Sequence, residues 1–469
     1  MFKKVLVANR GEIALRVICA CKELGIQTVA VYSQADANSL HVRFADEAVC
    51  IGPPRPTASY LNVPSIISAA EITSADAIHP GYGLLAEAPN FAEVCETCGI
   101  SFIGPRPEII RLMGNKKLAR KKMAQMGLPV LPGSEGPVSS PEEATAWAEQ
   151  IGYPVLIKAV HGGGGRGMRC VQEAEEMPKA LEAARREALQ AFGYEDVYIE
   201  KMIPRARHIE FQVLADQYGR VLHLGERECS IQRRFQKILE EAPAAPLSEE
   251  RRRSVGAVLE RILAEVNYTN AGTVEFLMDQ QGQMYFIEMN TRIQVEHPVT
   301  EMVTGIDLVK SQILLAAGAR LSEITDAPVA VRGHSIECRI LAENPVSFAP
   351  STGKVTAFHV PGGTGVRVDS ACYEECVIDS FYDSLIGKLI VHGRDRQEAI
   401  SRMQRALEMF IVEGVKTSLP LHQKIVAEPD FLEGNYHVGF LERYLPHATR
   451  PAADSLAERD TSAIETAAP

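Results

Sequence analysis

Three groups of residues in this 469-residue chain have the types and spacing to do chemistry. The first is a glycine loop, Gly162 to Gly165 followed by Arg166 and Gly167. Consecutive glycines let backbone N–H groups close on an anion. Lys158 stands just before the loop, at the end of an apolar run, and can reach phosphate oxygens as a point charge. The spacing is not that of a Walker loop, G-x-x-x-x-G-K-[ST]. The second group lies on two apolar runs, 273–278 and 284–289, joined by a turn at 279–282. Such a hairpin sets Glu275 nearly opposite Glu288 and puts Asn290 on the same face. Two carboxylates and an amide in an apolar hairpin need a cation. Oxygen-only ligands suit Mg²⁺ or Mn²⁺, with nucleotide phosphates filling the remaining positions; a structural salt bridge to Arg is the competing reading. The third group is Arg292, Gln294 and Glu296, which alternate on one side if 290–298 is extended. A guanidinium, an amide and a carboxylate side by side can hold a small oxyanion and remove its proton.

The elements that must position these groups fall into three parts. In residues 1–113, apolar runs at 4–8, 28–32, 76–79 and 100–103 read as buried strands. A helix spans 11–24, with Ile13, Val17, Ala20 and Leu24 at helical spacing and Gly25 as its stop. Alternating strands and helices give a Rossmann-like parallel α/β sheet. Its first turn carries Asn9, Arg10, Gly11 and Glu12, with only one glycine of G-x-G-x-x-G, so a dehydrogenase reading fails and the nucleotide belongs elsewhere. Residues 114–332 hold a helix at 116–126 and a second helix from Ser140 to Gly152, with Pro141 first and Glu143 completing a capping box. Strands follow at 154–158 and 168–171, a helix at 174–190, and strands with period two at 197–201 and 208–213. The third part, 333–446, opens with a strand at 334–340. It later starts a helix at Asp395, capped with Glu398, whose apolar face is Ile400, Met403, Leu407, Phe410 and Ile411. Residues 447–469, rich in Ala, Thr, Asp, Glu and Ser, read as a disordered tail.

Composition narrows the partners. Apolar residues make up 46% and charged residues 23%, an ordinary globular mix. The formal charge of −11 leaves no basic field over the chain, which argues against nucleic acid. Ten cysteines are too sparse for a disulfide-stapled domain. Cys95 with Cys98, and Cys372 with Cys376, read as reduced thiols, since neither pair has the second pair a zinc site needs. Arg10 and Glu12 interrupt the N-terminal apolar run, so no signal peptide is expected. The chain has no long apolar window to span a membrane. These features read as a cytoplasmic protein.

The motifs together resemble the biotin carboxylase family of the ATP-grasp superfamily. The resemblance rests on residues 8–14, 79–83, Lys158 with the glycine loop, 232–234, 240–243, 286–297, 337–339 and 382–384. It implies a Rossmann-like N-terminal domain, an ATP-grasp central domain with a mobile lid at about 131–203, and a C-terminal biotin carboxylase domain. It implies that ATP phosphorylates bicarbonate to carboxyphosphate, which breaks down to CO₂ that is captured by N1 of biotin. Lys116, Lys158, Gly163, Gly164, Gly165 and Gly167 would hold phosphates. Glu200, Lys201 and Ile203 would lie along the adenine, with His208 and Gln232 near the ribose. Glu275, Glu288 and Asn290 would hold two metal ions. Lys237, Arg292, Gln294 and the Val295 N–H would hold bicarbonate, and Glu296 would deprotonate it. Arg339 would stabilise the biotin enolate, with Tyr82 and Gly83 near the biotin ring.

Three positions depart from the family pattern: His161 at the first loop position, Phe235 where histidine is frequent, and Leu84. The chain has no Met-Lys-Met biotinylation site. The resemblance therefore implies a homodimeric subunit that works on biotin held by a separate carrier protein. Carboxyltransferase subunits would then pass the carboxyl group to acetyl-CoA, as in fatty acid biosynthesis, or to a related acyl-CoA or pyruvate. Two rivals from other classes are an ATP-grasp ligase joining an acid to an amine, and a catalytically dead nucleotide sensor. The first would lack Arg339 and the third domain; the second would have lost a metal ligand or Glu296.

Overall fold

The computed structural model describes residues 1–160 and 168–444. The glycine loop with Gly163, Gly164, Gly165, Gly167 and His161, and the tail at 447–469, lie outside the described residues.

The first unit is a five-stranded parallel sheet of β1 (Lys4–Val7), β2 (Gln27–Ser33), β3 (Glu47–Gly52), β4 (Ala77–His79) and β5 (Ser101–Phe102), in the order β3-β2-β1-β4-β5. Val5, Leu6, Val7, Val29 and Val31 are buried, as unbroken apolar runs require when helices cover both faces. The sequence reading omitted β3 and the helices Leu40–Phe44 and Val63–Ile72. In β3 several residues stay at least partly exposed, so the apolar signal is weak.

A small three-stranded sheet follows: β6 (Val155–Ala159), β7 (Arg169–Val171) and β8 (Val197–Lys201), in the order β7-β6-β8. Helices Pro141–Ile151 and Met177–Phe192 pack on it. Val155, Ile157, Leu181, Val197 and Ile199 give this unit a core of its own.

The remaining strands are β9 (Arg207–Ala215), β10 (Val221–Arg233), β11 (Gln236–Ala242), β12 (Asn270–Met278), β13 (Met284–Asn290), β14 (His334–Leu341), β15 (Gly353–Lys354), β16 (Ala357–His359), β17 (Val366–Asp369), β18 (Val377–Ile378), β19 (Leu385–Gly393) and β20 (Ile411–Glu413). Eight of them make one antiparallel sheet, β13-β12-β9-β10-β11-β14-β19-β17. The β11–β14 ladder joins the second and third parts of the sequence, with Leu239 opposite Cys338 and Glu240 opposite Glu337. Helix Glu249–Glu265 covers the central strands and helix Arg396–Met409 covers the far end.

Three local readings change. Both capping boxes close one residue early. Ser140 accepts from the Glu143 N–H, but Glu143 Oε2 takes the Ser139 N–H at 2.7 Å. Asp395 accepts from the Glu398 N–H, and Glu398 Oε2 takes the Arg394 N–H at 2.7 Å. Ile411 is not on the apolar helix face: the helix ends at Met409, and Ile411 begins β20, half exposed. The stretch read with period two at 208–213 is buried on both faces, so its polar residues alternate inside the protein.

Candidate active site

Strand register dictates an electrostatic problem. On β9, His208, Glu210 and Gln212 share one face. Glu210 pairs with Glu275 of β12, and Glu275 pairs with Glu288 of β13. Three glutamates thus stand in a row across three strands, and like charges directly opposite destabilise a sheet. Cations from other strands resolve it. Lys237 of β11 places Nζ 2.5 Å from Glu210 Oε2, 2.9 Å from Glu275 Oε1 and 2.7 Å from Glu296 Oε1. Arg227 of β10, wholly buried, donates Nε to Glu210 Oε1 at 2.5 Å. Its other nitrogens reach Gln212, Thr300 and Thr273 at 2.8–3.1 Å. Lys116 Nζ lies 3.0 Å from Glu288 Oε2. His208 Nε2 lies 2.9 Å from Glu275 Oε2, and its Nδ1 lies 2.9 Å from Gln232 Nε2.

The segment after β13 is a turn, not an extended strand, and this corrects the alternation expected for Arg292, Gln294 and Glu296. Pro298 sits near the start of helix His297–Thr304, and Glu296 is the residue before it, at φ −80° and ψ 10°. The turn brings the three residues to one place by another route. Arg292 donates to Gln294 Oε1 at 2.9 Å and to Asn290 Oδ1 at 3.1 Å. Gln294 and Asn290 donate to Glu275 Oε1 at 2.9 and 2.8 Å. Glu87, from the first unit, holds the turn by accepting from Arg292 Nε and the Thr291 N–H. Arg292 and Gln294 border the cleft, whereas Glu296 is fully enclosed beneath it.

Glu296 is clamped from two sides. Besides Lys237, Arg339 of β14 donates Nη2 to Glu296 Oε2 at 2.9 Å and Nε to Glu240 Oε1 at 2.6 Å. Burial works to raise the Glu296 carboxyl, but Lys237, Arg339 and Arg227 outweigh it and hold the group well below the usual carboxylate range. Glu275 is likewise held low, against burial, by Lys237 and His208. Burial opposes the Lys237 charge, but Glu210, Glu275 and Glu296 keep it protonated far above its ordinary range. Glu240 differs: burial pushes it up to about 7, although Arg339 pulls the other way. Glu337, opposite Glu240, is also raised by burial, with Lys388 only partly countering.

These groups floor one end of a cleft of about 1750 Å³. At its other end, Lys158 of β6 forms an ion pair with Glu200 of β8. Glu200 is almost wholly buried, and Lys201 turns its ammonium to the Gly152 and Tyr153 carbonyls. Neither borders the cleft, but Ile203 and Met202 do. Tyr82 and Gly83 border it from the first unit, and the turn after β1 explains how. Asn9 Nδ2 donates to the Pro80 and Tyr82 carbonyls at 2.7 and 2.8 Å. Gly81 must be glycine there: its φ is +63°, and a Cβ would stand 2.9 Å from Asn9 Nδ2. Glu12 accepts from the Tyr82 hydroxyl, and Arg10 lies 3.8 Å over the Tyr382 ring while paired with Asp36. The turn that lacks the dinucleotide fingerprint is thus a fastener for two cleft loops.

The sequence reading gave no role to Glu87, Glu210, Arg227, Glu240, Glu337 and Lys388. Glu210 had a signal: His208, Glu210 and Gln212 form a polar stripe in an otherwise apolar strand. Lys388 had a weaker one, a lysine inside the apolar run Leu385–Gly393; it is fully buried and donates to the Val295 carbonyl at 2.9 Å. As for a metal, Glu275, Glu288 and Asn290 border the cleft with hard oxygen donors, a set that fits a divalent cation. Their charge partners here are lysines and histidine, not the arginine of the competing reading.

A cleft between a small sheet and a large one, with Lys158 on the first and a glutamate row on the second, defines an ATP-grasp ligase. Three family models match the chain: "Biotin carboxylase, N-terminal domain" over 1–110, "Carbamoyl-phosphate synthase L chain, ATP binding domain" over 115–324 and "Biotin carboxylase C-terminal domain" over 337–443. The chain is 56% identical to a biotin carboxylase of Nostoc sp., over 94% of this chain and 99% of that one. It is 52% identical to the small subunit of 2-oxoglutarate carboxylase from Hydrogenobacter thermophilus, over 95% and 94%. It superposes with a TM-score of 0.92 and 51% identity, over 94% and 98%, on the biotin carboxylase domain dimer of the carboxylase from that organism, solved with MgADP, ADP and bicarbonate. The chain belongs to the biotin carboxylase family. The expected fold class, a Rossmann-like unit joined to an ATP-grasp and a C-terminal biotin carboxylase unit, matches these relatives.

Proposed function

We propose that this chain carboxylates biotin with bicarbonate and ATP, giving carboxybiotin, ADP and phosphate, and that Glu296 is the base. The observation that carries the assignment is the clamp on Glu296 by Lys237 and Arg339 at the floor of the cleft. The clamp keeps Glu296 ionised, the form a base must have. A bicarbonate ion beside Lys237 and Arg292, hydrogen-bonded by Gln294, shares the positive charge of Lys237, which weakens the hold on Glu296 and raises its proton affinity when the proton must move. The deprotonated bicarbonate attacks the γ-phosphoryl group, and the carboxyphosphate formed releases CO₂ to N1 of biotin. Lys116 and Lys158 exchange their glutamate partners for phosphate oxygens. Arg339 then faces the ureido oxygen of biotin as N1 gives its proton to the phosphate released with CO₂, and preorganised donors act where charge develops. Tyr82 and Gly83 border the biotin end, and Ile203 flanks the adenine with Glu200 and Lys201 behind the cleft wall, with His208 and Gln232 by the ribose. Glu275, Glu288 and Asn290 would hold Mg²⁺ or Mn²⁺, two ions in our reading, which neutralise phosphate charge.

The division at 113/114 and 332/333, and a lid at about 131–203, belong to the same reading; the separate core of the small sheet supports a unit that moves as a body. The biotin is carried on a separate protein and the carboxyl passed on by a transferase. The relatives named as a domain and as the small subunit of 2-oxoglutarate carboxylase support this, and the dimeric relative supports a homodimer. Ten free cysteines suit a cytoplasmic setting. The purified chain, given MgATP and bicarbonate, is expected to cleave ATP faster as free biotin is added. Cleavage that ignores bicarbonate and rises with an amine would favour the carboxylate–amine ligase.

A further inference from the structure

We infer that Cys372 and Cys376 form a reversible thiol–disulfide switch on the strap that borders the biotin end of the cleft. The strap, residues 370–384, joins β17 to β19. Two tyrosines tie it to the first unit: Tyr373 donates to the Asn38 carbonyl at 2.7 Å, and Tyr382 reaches the Pro54 carbonyl and the Ser33 hydroxyl at 2.6 and 2.5 Å. Phe381, Tyr382 and Ser384 border the cleft. At the start of the strap a tight turn folds the chain back, with Glu375 at φ +77° and the Cys376 N–H bonded to the Tyr373 carbonyl. Val355 pins the turn by donating to Cys376 and accepting from Glu375. The turn holds the two sulfurs 3.2 Å apart.

The pair differs from the other thiols of the chain. The hydrogen bond between the two sulfurs brings the Cys376 thiol down to about 7 and holds the Cys372 thiol up, so Cys376 is the more readily ionised of the two, and it is partly exposed. Burial instead pushes Cys21 and Cys95 up to about 12. A metal role lacks ligands: among the described residues, no cluster of three or more His, Cys or carboxylates includes this pair. The oxidant is a disulfide such as glutathione disulfide. The Cys376 thiolate attacks one of its sulfurs, forming a mixed disulfide and releasing a thiolate that takes a proton from solvent. Cys372 gives its proton to solvent and attacks the Cys376 sulfur, releasing the second thiol. Two protein thiols are oxidised and one disulfide is reduced to two thiols. Closing the ring resets the turn and, through the tyrosine anchors, the cleft-lining end of the strap.

The functional part of this inference rests on the proposed biotin chemistry; the chemical part does not. The full-length protein is incubated with glutathione disulfide, alkylated and digested with trypsin. Peptide Val368–Lys388 holds Cys372 and Cys376 and no other cysteine. We expect it two hydrogens lighter and unalkylated, with recovery by dithiothreitol. In parallel, kcat/KM for biotin should fall about tenfold, short of the roughly 10²-fold cost of a misplaced reacting group, with KM for ATP unchanged. Cys376→Ser should keep the reduced enzyme's activity and lose the response. A peptide that stays dithiol, or that carries only glutathione, overturns the switch. So does a disulfide that leaves the biotin kinetics unmoved, or an equal response in Cys376→Ser. Absence of any biotin-stimulated turnover in the reduced protein would instead refute the proposed function, leaving the mass result to decide the chemistry.

Discussion

The two ends of the cleft use the same side chains under opposite conditions. At the end proposed for the nucleotide, Lys116 pairs with Glu288, each about 30% exposed, while Lys158 and Arg120 share the buried Glu200. At the seam where β11 meets β14, Glu240, Glu296, Glu337 and Lys388 are packed away from solvent, Arg339 reaches the cleft, and acids outnumber cations. Glu240 Oε2 and both Glu337 oxygens have no hydrogen-bond partner. An exposed pair is worth little and can change partners when a phosphate arrives. A buried surplus of acid cannot; it is relieved by protonation. Hence Glu240 rises to about 7 and Glu337 is also raised, while Glu296, which has two cations, stays ionised. The nucleotide end is organised to respond to incoming charge. The seam is organised to keep one carboxylate charged beside neighbours that burial pushes toward the protonated form.

The comparison breaks most visibly at Glu288. Glu288→Gln removes one charge from the proposed metal set of hard oxygen ligands and frees Lys116. We expect folding to persist and ATP-dependent carboxylation to fall by about 10³ or more, as expected when phosphate charge is left without its cation. Normal turnover at saturating Mg²⁺ would remove the metal assignment.

Arg339→Lys probes the seam without changing its charge. An ammonium cannot present two donors as a guanidinium does. Biotin carboxylation should fall by about 10²–10³, the usual cost of one oxyanion donor. Biotin-independent ATP cleavage in bicarbonate should fall much less. Both rates come from one preparation, and a parallel fall at unchanged Tm would move Arg339 from biotin chemistry to bicarbonate activation.

Glu240 sharpens the comparison through pH. Its carboxyl is raised in the fold, to about 7, so the folded protein holds a proton that the unfolded chain gives up near the ordinary carboxylate range. Stability from this group is present at low pH and is lost as pH rises to about 7. Glu275 and Glu296, held low, act in the opposite sense and lose their contribution only in stronger acid. Tm measured at pH 5 and pH 8 should therefore drop more in the native protein than in Glu240→Gln. Equal drops would show that Glu240 is ionised throughout.

How much of this was legible in the sequence follows the same line. The hairpin carried its own evidence: a turn, two apolar runs and two glutamates at matching offsets, and the register does pair Glu275 with Glu288. The parallel sheet was legible for the same reason, since its strands are short apolar runs between helices. The 292–296 segment misled, because alternation suggested a strand while the helix starting at His297 imposed a turn. The seam was the least legible. Glu240 and Arg339 are 99 positions apart and meet only through the β11–β14 register, which no local spacing reports. Arg227 carried no local signal in the sequence; the three-glutamate row explains why a guanidinium is buried there.

The smallest effect is expected at Phe235, half exposed at the cleft edge in the two-residue β10–β11 turn at φ +65°. Histidine tolerates that backbone region better than phenylalanine. Phe235→His should raise Tm slightly and change KM for ATP by no more than about twofold, within the range of surface substitutions. A large loss of activity would make the ring a nucleotide contact.

The central claim is that Glu296 is the ionised base between Lys237 and Arg339, and Glu296→Gln tests it most directly. Calorimetry of MgATP binding and the rate of bicarbonate-dependent ATP cleavage are measured on the same protein. We expect ATP to bind as it does to the native chain and cleavage to fall by about 10²–10⁴, the range a positioned general base supplies. Cleavage near the native rate, with ATP binding intact, would show that bicarbonate loses its proton elsewhere and would contradict that claim.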